Sequence, residues 1–486
     1  MRAALRPPRY NTLAVAGNRI HFGTSGWRAI IADEFTFDNV RRAAAAIADH
    51  VGSRSKSPTL IVGHDTRFFS EEFARAAAAV LRAHGVRVLL CGEPAPTPAI
   101  AHEILRRKTD GAINFTASHN PAEYHGLKFS GPDGAPARPE VTRDIEERFA
   151  GLAARGQRAE MAGKNGFEQT DPREPYLARL AELVDFGAMR KAGLRVVCDL
   201  LHGAGAGYLE RALADHGVPV AALRANRDVL YDGDGPDVAE SNLAPLREAL
   251  GASATAGARI GLATDGDADR FGILDADGSF VQPNHILALL FDYLVETRGW
   301  RLGAARSVAT THLLDAVANL HGLPCQETPV GFKYVGELIQ KDQITLGGEE
   351  SAGLSIRGHV PEKDGILAGL LVAEMVARRG STLAEQLRTL FRRVGAEFWP
   401  LRVNLALSED LKARLAERLQ RDYTAWQGRR VARTVRTDGL KLVFTDGSWM
   451  LARLSGTEPL ARLYVETNSP EASSRLGTEA QRWVLQ

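Results

Sequence analysis

Short apolar runs rich in β-branched residues alternate with amphipathic runs along the first three quarters of the chain, and this alternation constrains the fold more than any other feature. The run TLIVGHD (59–65) predicts a buried strand. The run SEEFARAAAAVLRAHG (70–85) predicts a helix with Ser70 as its N-cap and Gly85 as its C-cap. VRVLLCG (86–92) predicts the next strand. Strands that alternate with helices are typical of sheets that are at least partly parallel, with helices on their faces.

The same alternation restarts twice, at LRVVCDL (194–200) and at the helical run HILALLFDYLVETRG (285–299). The segment after Gly380 differs, because Asp438-Gly439 and Asp446-Gly447 lie between apolar runs and predict antiparallel hairpins. We therefore predict an α/β protein with three related mixed-sheet α/β domains and a smaller C-terminal α+β domain. The predicted domains are 1–165, 166–281, 282–385 and 386–486.

Composition and charge exclude several classes of protein. The chain of 486 residues has a formal net charge of +1, so we expect no nucleic-acid partner. No stretch approaches the ~20 apolar residues of a membrane span, and the N-terminal segment lacks the apolar run of a signal peptide. The three cysteines are widely spaced, which favours reduced thiols in a cytoplasmic protein over a disulfide framework or a zinc site. Small molecules or proteins are the expected partners.

The clearest chemical signal is ATDGDADRFG (263–272), in which Asp265, Asp267 and Asp269 alternate directly after an apolar strand. Three such carboxylates repel one another unless a cation or solvent neutralises them, and hard oxygen ligands suit Mg²⁺ or Ca²⁺. An EF-hand is excluded, because Arg270 and Ala276 stand where its loop needs Gly and Glu. An acidic surface loop is the alternative interpretation.

Three further loops carry groups suited to phosphates or sugars. RLSGTEPLARLYVE (453–466) combines hydroxyls, guanidinium groups and backbone N–H groups at a Gly turn, which suits a phosphate dianion. LGGEESAGLSI (346–356) places Glu349 near Ser351, a pair that suits vicinal sugar hydroxyls, and HFGTSGWRAII (21–31) carries Arg28. Each loop taken alone is also compatible with an ordinary turn. The first loop contributes Arg453, Ser455, Gly456, Thr457 and Arg462.

The segment TASHNP (116–121) places Ser118 directly before His119, which suggests a hydrolase nucleophile with its base. The nucleophile of an α/β-hydrolase lies in G-x-S-x-G, and here Thr116 and Asn120 occupy the glycine positions. The bases of catalytic triads usually come from distant positions in the chain, so the adjacent histidine adds little. The hydrolase interpretation is therefore poor.

The segments TASHNP, DGDADR, GEESAG and RLSGTEP, in this order and with GTSGWR near the start, resemble the α-D-phosphohexomutases, the phosphoglucomutase and phosphomannomutase superfamily. The match extends over the whole chain. The resemblance implies four domains around one central active-site cleft, each supplying one loop. It also implies that Ser118 is carried as phosphoserine, and that Mg²⁺ is held by Asp265, Asp267, Asp269 and a phosphoserine oxygen of Ser118.

The resemblance implies roles for the remaining loops. Lys128 in HGLK is the implied general base, and beside Arg28 we expect its pKa to be lowered. A Lys128 that only neutralises phosphate is the alternative. His125 stands where the family often has Asn, which leaves its part in proton transfer open, and His119 is expected to shape the loop or to contact phosphate. The implied substrate-binding residues are Arg270, Lys333, Glu349, Ser351, Lys363, Arg453, Ser455, Gly456, Thr457 and Arg462. His359, which is near the GEESAG loop in the sequence, is a further candidate for a substrate contact.

The reaction implied by the resemblance interconverts glucose 1-phosphate and glucose 6-phosphate. Phosphoserine 118 gives its phosphoryl group to the 6-hydroxyl, the resulting glucose 1,6-bisphosphate turns end over end in the cleft, and Ser118 takes the phosphate from C1. In the GEESAG motif, Glu350 resembles the residue of the phosphoglucomutases more than the residues of mannose- or glucosamine-preferring relatives. The alternatives are a dual phosphoglucomutase/phosphomannomutase, a phosphoglucosamine mutase and a non-enzymatic relative, although no loop is lost. We expect a monomer or a homodimer.

Overall fold

The computed structural model describes residues 19–23, 26–156, 159–163, 166–252, 258–455 and 460–486. Across these ranges the chain forms four β-sheets in succession, each packed with helices, and we call the corresponding parts units one to four. No helix in these ranges is long and apolar enough to cross a membrane. The cysteines are free thiols, with Cys91 and Cys198 buried and Cys325 half-buried.

Unit one is built on a seven-stranded sheet. Its strands are β1 (Phe22–Gly23), β2 (Gly26–Ile30), β3 (Thr59–His64), β4 (Arg87–Cys91), β5 (Ala112–Phe115), β6 (Tyr124–Ser130) and β7 (Glu168–Thr170). They lie in the order β1-β2-β6-β5-β3-β4-β7, in which β5, β3, β4 and β7 are parallel and β6 runs antiparallel to β5. Its helices are α1 (Phe37–Gly52), α2 (Ser70–Ala83), α3 (Thr97–Arg107) and α4 (Pro139–Ala154).

Units two and three each contain a four-stranded sheet. Unit two has β8 (Arg195–Asp199), β9 (Val220–Leu223), β10 (Arg259–Thr264) and β11 (Phe271–Leu274), with α5 (Arg173–Leu183), α6 (Phe186–Lys191), α7 (Leu209–Asp215) and α8 (Ala244–Ala252). Unit three has β12 (Gly303–Ser307), β13 (Cys325–Thr328), β14 (Ile344–Glu349) and β15 (Gly353–Ile356), with α9 (Pro283–Arg298), α10 (Leu313–Leu320), α11 (Phe332–Gln340), α12 (Gly365–Arg379) and α13 (Leu383–Val394).

The first three units share one strand order. The sequence of neighbours β6-β5-β3-β4 in unit one recurs as β11-β10-β8-β9 in unit two and as β15-β14-β12-β13 in unit three. In each case three strands are parallel, and the last parallel strand along the chain turns back into an antiparallel partner. The turn before that partner therefore occupies the same place in all three units.

Unit four is an antiparallel sheet with two helices. Its strands are β16 (Trp399–Ala406), β17 (Ala425–Trp426), β18 (Arg429–Val435), β19 (Leu440–Phe444), β20 (Trp449–Leu454) and β21 (Leu460–Thr467), and its helices are α14 (Glu409–Leu419) and α15 (Pro470–Leu485). The strand order is β16-β21-β20-β19-β18-β17. The two predicted Asp-Gly turns lie in the β18–β19 and β19–β20 connections, as expected for hairpins. The predicted fold class is thus confirmed.

The hydrophobic cores show how the units are joined. Unit one has a core of its own, and so has unit four, whereas units two and three share the largest apolar cluster. Helix α12 packs on β10 and β11 of unit two as well as on β15 of unit three. A smaller cluster with Val308 and Ala309 on one side and Trp449 and Tyr464 on the other joins unit three to unit four.

Three sequence predictions shift by a few residues. The sheet of unit one extends beyond residue 165, because β7 pairs with β4. Helix α13 crosses residue 385, since a capping box at Thr382 starts it and Gly395 follows its last residue. Helix α2 begins at Ser70 itself, whose hydroxyl donates to Asp65 Oδ1 at 2.6 Å instead of capping the helix.

Candidate active site

The three turns that the shared strand order places at equivalent positions carry three of the predicted functional loops. The turn between β5 and β6 contains Ser118, the turn between β10 and β11 contains the aspartates, and the turn between β14 and β15 follows Glu349. Each turn includes a non-glycine residue in the left-handed region: Ser118 at φ 54°, Ala268 at φ 56° and Ala352 at φ 69°. Such backbone conformations are costly and need support from their surroundings.

Buried groups from unit one hold the Ser118 turn. The hydroxyl of Thr116 accepts a hydrogen bond from Ser118 N at 2.9 Å. The guanidinium of Arg67, which is fully buried and paired with Asp65, donates to the carbonyl oxygens of Ser118 at 2.7 Å and Asn120 at 2.6 Å. It also donates to the carbonyls of Pro121 and Tyr124. These bonds fix the left-handed turn in place.

The Ser118 turn lies directly on the aspartate turn of unit two. The Ser118 hydroxyl donates to Asp265 Oδ2 at 2.6 Å, and His119 Nδ1 lies 3.3 Å from the same hydroxyl. A Cβ on Gly266 would lie 2.5 Å from the Ser118 carbonyl oxygen, so this position accepts only glycine. The structure therefore brings Ser118, His119 and Asp265 together.

The three aspartates form a buried cluster. Asp265, Asp267 and Asp269 each offer a carboxylate oxygen within 4.8 Å of the other two. Burial, followed by the charges of Asp269 and Asp267, raises the pKa of Asp265 to about 8. Three buried carboxylates this close disfavour their own ionisation, and a bound cation relieves that cost.

Two lysines reach the cluster from different units. Lys128 Nζ lies 2.5 Å from Asp267 Oδ2 and 2.7 Å from Asp269 Oδ2, and Lys363 Nζ lies 2.7 Å from Asp269 Oδ2. The Oδ1 atoms of Asp267 and Asp269 are buried and have no hydrogen-bond partner among the described residues. One oxygen of each carboxylate is thus engaged, and the other is left for a further positive group. This donor set of hard oxygens fits Mg²⁺.

The pKa of Lys128 departs from the expectation of a lowered value. Burial alone lowers the pKa, but the charges of Asp267 and Asp269 outweigh it, and the pKa of Lys128 lies above its usual range. The neighbouring Arg28 donates to Asn120 Oδ1 at 2.6 Å, and burial lowers the pKa of Arg28 to about 10. In this state Lys128 is a cation and not a base.

His125, which stands where the family often has Asn, lies away from the aspartate cluster. It is three residues from Lys128 on β6, so the two side chains project to opposite faces of the sheet. Its ring stacks on Phe35 and meets Phe73 edge-on, and Nε2 lies 2.9 Å from the Ser70 hydroxyl. Burial lowers the pKa of His125 to about 4. His125 therefore belongs to the core of unit one.

Unit three supplies Glu349 at the end of β14. Glu349 is buried, accepts a hydrogen bond from Gly331 N at 2.7 Å, and has its pKa raised to about 7 by burial and by the charge of Glu350. The Glu350 carboxylate is held within the unit by the hydroxyls of Ser307 and Thr310. Ser351 is half-buried in the turn that follows. The carboxylate of Glu349 is therefore protonated more readily than that of an exposed glutamate.

Two other predicted residues of unit three differ in their surroundings. Lys333 lies in the first turn of α11, where its ammonium is 5.3 Å from the centre of the Tyr334 ring, and no described contact joins it to the aspartate cluster. His359, which the sequence suggests as a weak substrate contact, is buried with Nε2 2.7 Å from Asp364 Oδ2. Because Asp364 caps α12, His359 has a structural role.

The loop of unit four that the sequence predicts to bind phosphate lies only partly within the described residues. Arg453 on β20 and Arg462 on β21 lie directly opposite each other, a like-charge pair that an anion would stabilise. Arg453 Nη2 lies 3.1 Å from Asp438 Oδ2, and Ser455 N donates to Leu460 O at 2.9 Å. Gly456 and Thr457 lie outside the described residues.

Arg270 and three residues that the sequence analysis did not single out complete the site. Arg270 N donates to Asp265 Oδ1 at 3.0 Å, and Arg270 Nε lies 3.9 Å from Asp269 Oδ1. Glu362 is buried close to Lys363, and burial raises its pKa. From unit one, the Thr97 hydroxyl donates to Asp267 Oδ2, and Asn114 donates to Thr97. The only sequence signal for these two residues was their polarity, with Thr97 at the start of a helix and Asn114 in an apolar strand.

Comparison with known proteins shows which family the chain belongs to. Models of the phosphoglucomutase/phosphomannomutase domains match in order: α/β/α domain I at residues 19–155, domain II at 174–278, domain III at 282–394 and the C-terminal domain at 403–480. The chain therefore belongs to the phosphoglucomutase/phosphomannomutase family of the α-D-phosphohexomutase superfamily, a family of phosphotransferring isomerases.

Individual relatives carry different names. The chain is 31% identical over 451 residues to a phosphoglucomutase/phosphomannomutase of Thermococcus kodakarensis, covering 93% of this chain and 95% of that protein. It is also 31% identical over 466 residues to a phosphoglucosamine mutase of Thermobifida fusca, covering 94% and 96%. The crystal structure of a phosphomannomutase candidate from Thermus thermophilus superposes with a TM-score of 0.83 at 33% identity, covering 96% and 99%.

Proposed function

We propose that this protein is a phosphoglucomutase that interconverts glucose 1-phosphate and glucose 6-phosphate through a phosphoserine at Ser118. The observation that carries the proposal is the 2.6 Å hydrogen bond from the Ser118 hydroxyl to Asp265, in a cluster where three carboxylates meet two lysines. Phosphoryl transfer needs positioning and neutralisation of charge more than covalent chemistry by the protein. A buried serine between carboxylates and cations suits a phosphoryl carrier.

We assign a Mg²⁺ site to Asp265, Asp267, Asp269 and an oxygen of phosphoserine 118. The support is the pair of buried Oδ1 atoms of Asp267 and Asp269 that have no partner among the described residues. When bound there, Mg²⁺ would polarise the phosphoryl group and offset the negative charge of the carboxylates.

The reaction has two halves that use the same serine. In the first half the bond between phosphorus and Ser118 Oγ breaks, and a bond to the 6-hydroxyl oxygen of glucose 1-phosphate forms. The glucose 1,6-bisphosphate then turns end over end. In the second half Ser118 Oγ attacks the phosphorus of the C1 phosphate and gives its proton to a neighbouring acceptor. The bond between this phosphorus and the C1 oxygen breaks, and the C1 oxygen takes up a proton to leave glucose 6-phosphate with a free 1-hydroxyl. Asp265 Oδ2 at 2.6 Å and His119 Nδ1 at 3.3 Å are the described groups that contact the Ser118 hydroxyl.

Lys128 has two functions in this scheme. As a cation paired with Asp267 and Asp269, it offsets charge on the transferring phosphoryl group. It becomes a candidate acceptor for the 6-hydroxyl proton only when the charge of its two carboxylates is offset, because that charge raises its pKa. Arg28 beside it, and Lys363, which pairs with the same Asp269 Oδ2, add positive charge at the same place.

The sugar and its second phosphate are assigned to units three and four. Glu349 and Ser351 are proposed to hold vicinal sugar hydroxyls, since the Glu349 carboxylate accepts one hydrogen bond among the described contacts, from Gly331 N. The opposed pair Arg453 and Arg462 is proposed to grip the phosphate that is not being transferred. Ser455, Gly456, Thr457, Arg270 and Lys333 complete the proposed substrate-binding set.

A coupled assay tests the proposal. Purified protein with glucose 1-phosphate, Mg²⁺ and a trace of glucose 1,6-bisphosphate should form glucose 6-phosphate, and chelation of Mg²⁺ should stop the reaction. Ser118→Ala should abolish turnover, whereas Ser241→Ala, at an exposed serine of unit two, should not change it. No conversion by the wild-type protein would refute the proposal.

The choice of sugar is tested in the same assay with mannose 1-phosphate and glucosamine 1-phosphate. We expect kcat/KM to be highest for glucose 1-phosphate. A dual phosphoglucomutase/phosphomannomutase predicts similar values for glucose and mannose phosphates, and a phosphoglucosamine mutase predicts the highest value for glucosamine 1-phosphate. The mixed names of the relatives at 31% identity favour neither alternative.

A further inference from the structure

Two residues of unit one prepare the aspartate cluster of unit two for its cation. We propose that Thr97, oriented by Asn114, is a positioning residue that selects which oxygen of Asp267 binds the divalent metal. The inference rests on the metal site of the proposed function. It concerns neither a ligand of the metal nor a group that contacts the sugar phosphate.

Thr97 grips Asp267 at two points. It is buried as the first residue of α3, and its backbone N donates to the Asp267 carbonyl oxygen at 3.0 Å. Its hydroxyl donates to Asp267 Oδ2. A residue held through both its carbonyl and its carboxylate has little freedom to rotate, so the side chain of Asp267 is presented in one orientation.

Asn114 sets the direction of the hydroxyl proton. Its amide nitrogen donates to Thr97 Oγ1 at 2.9 Å, and an amide nitrogen accepts no hydrogen bond in return. The Thr97 proton is therefore available for Asp267 Oδ2. Asn114 and Lys128 are direct cross-strand partners on β5 and β6, and Lys128 donates to the same Oδ2 at 2.5 Å. Lys128 from the sheet and Thr97 from helix α3, the latter oriented by Asn114, thus direct two donors at one carboxylate oxygen.

Saturation of Oδ2 leaves Oδ1 of Asp267 buried and without a partner among the described residues. A buried carboxylate oxygen that lacks a donor favours a metal ion at that position. Partners that orient metal ligands in this way typically contribute 10–100-fold to metal affinity. Because Thr97, Asn114 and Lys128 all belong to unit one, the metal site of unit two is complete only when the two units are docked.

Direct measurement of Mg²⁺ binding tests the inference without an activity readout. Isothermal titration calorimetry on the dephosphorylated full chain would compare wild type, Thr97→Val and Thr97→Ser. Valine keeps the volume of threonine and removes the hydroxyl. We expect Kd for Mg²⁺ to rise about 10–100-fold in Thr97→Val and to stay within about 3-fold in Thr97→Ser.

The matched control is Thr109→Val. Thr109 is also a buried threonine of unit one, and its hydroxyl donates to Gly111 O at 3.2 Å, away from the cluster. We expect this variant to bind Mg²⁺ like wild type. Asn114→Leu, which removes the amide that orients Thr97, should weaken Mg²⁺ binding in the same direction as Thr97→Val and keeps the inference testable if the latter does not fold.

The outcomes separate this inference from the proposed function. Wild-type binding with weakened binding in Thr97→Val supports the inference. Wild-type affinity in both Thr97→Val and Asn114→Leu overturns it and leaves the metal assignment intact. Equal Mg²⁺ binding by wild type and Asp267→Asn, or no binding by wild type, overturns the metal assignment and the inference together.

Discussion

Replacing Glu349 with Gln should stabilise unit three at alkaline pH while it damages sugar binding. Glu349 is buried, and its pKa is raised to about 7 by burial and by the charge of Glu350. A carboxyl group whose folded pKa lies above its unfolded pKa costs stability once the pH rises through that interval. Glutamine keeps an oxygen that can accept the hydrogen bond from Gly331 N and carries no charge at any pH.

The size of the effect follows from the two pKa values. Between the ordinary value of 4.5 and the folded value of about 7, the cost of ionising Glu349 in the folded protein grows with pH. It is complete above pH 7, where it amounts to about 3 kcal/mol, and at pH 5 it is about 1 kcal/mol. Glu349→Gln should therefore gain about 2 kcal/mol more relative to wild type at pH 8 than at pH 5.

Hydrogen–deuterium exchange of the peptide that spans β14 and β15 reports the free energy of opening of this sheet. Exchange is measured at several pH values between 5 and 8 and corrected for the intrinsic rate. Glu337→Gln is the matched control, because Glu337 lies in the same unit and pairs with Lys341 near the surface. Its effect should stay within about 0.5 kcal/mol at every pH.

The reasoning fails if the gain in Glu349→Gln is the same at pH 5 and pH 8, since ionisation would then not be the cause. A loss of stability at pH 8 would likewise contradict it. In the same variant we expect KM for glucose 1-phosphate to rise, because the amide replaces a carboxylate that is proposed to accept hydrogen bonds from sugar hydroxyls.

Three further predictions concern the other loops. Arg67→Met leaves Asp65 buried without its ion-pair partner and should lower the free energy of unfolding by about 3–5 kcal/mol, seen as a lower melting temperature. An unchanged melting temperature would contradict the stabilising role of Arg67 at the Ser118 turn. Arg453→Gln should raise KM for glucose 1-phosphate about 10–100-fold with kcat little changed, since the phosphate that Arg453 is proposed to hold is bound alike before and during transfer; a fall in kcat alone would argue against this role. His125→Gln should lower the melting temperature and leave the pH profile of kcat unchanged, because His125 packs on Phe35; a shifted profile would restore it as a proton-transfer group.

Much of the fold follows from local sequence patterns. The periodicity of apolar residues within a short stretch of chain distinguishes strands from helices, and their alternation predicts the mixed sheets. The backbone preferences of the Asp-Gly pairs predict the hairpins of unit four. The position of His125 is also predictable in hindsight, since residues three apart on a strand face opposite sides of the sheet. Patterns of this kind do not show that β7 joins the first sheet, because that pairing joins segments far apart in the chain.

The chemistry of the site depends on contacts between units, and these were harder to predict. The charges of Asp267 and Asp269 raise the pKa of Lys128. Both aspartates come from another unit, so the sequence around Lys128 does not reveal these partners. The same holds for Thr97, whose position at the start of α3 indicates a helix and not its contact with Asp267. The motifs pointed to the loops that carry Ser118 and the three aspartates, whereas Thr97, Asn114 and the raised pKa of Lys128 required the structure.

The most direct test of the central claim is a single-turnover measurement on the phosphorylated enzyme. Protein phosphorylated by glucose 1,6-bisphosphate is freed of that compound, mixed with glucose 1-phosphate and Mg²⁺, and quenched at increasing times. When the phosphoryl group first placed on Ser118 is radiolabelled, the label should leave Ser118 and appear in glucose 1,6-bisphosphate and then in glucose 6-phosphate, and Ser118→Ala should take up no label. Formation of unlabelled glucose 6-phosphate while the label stays on Ser118, or formation of glucose 6-phosphate by Ser118→Ala at the wild-type rate, would contradict the claim.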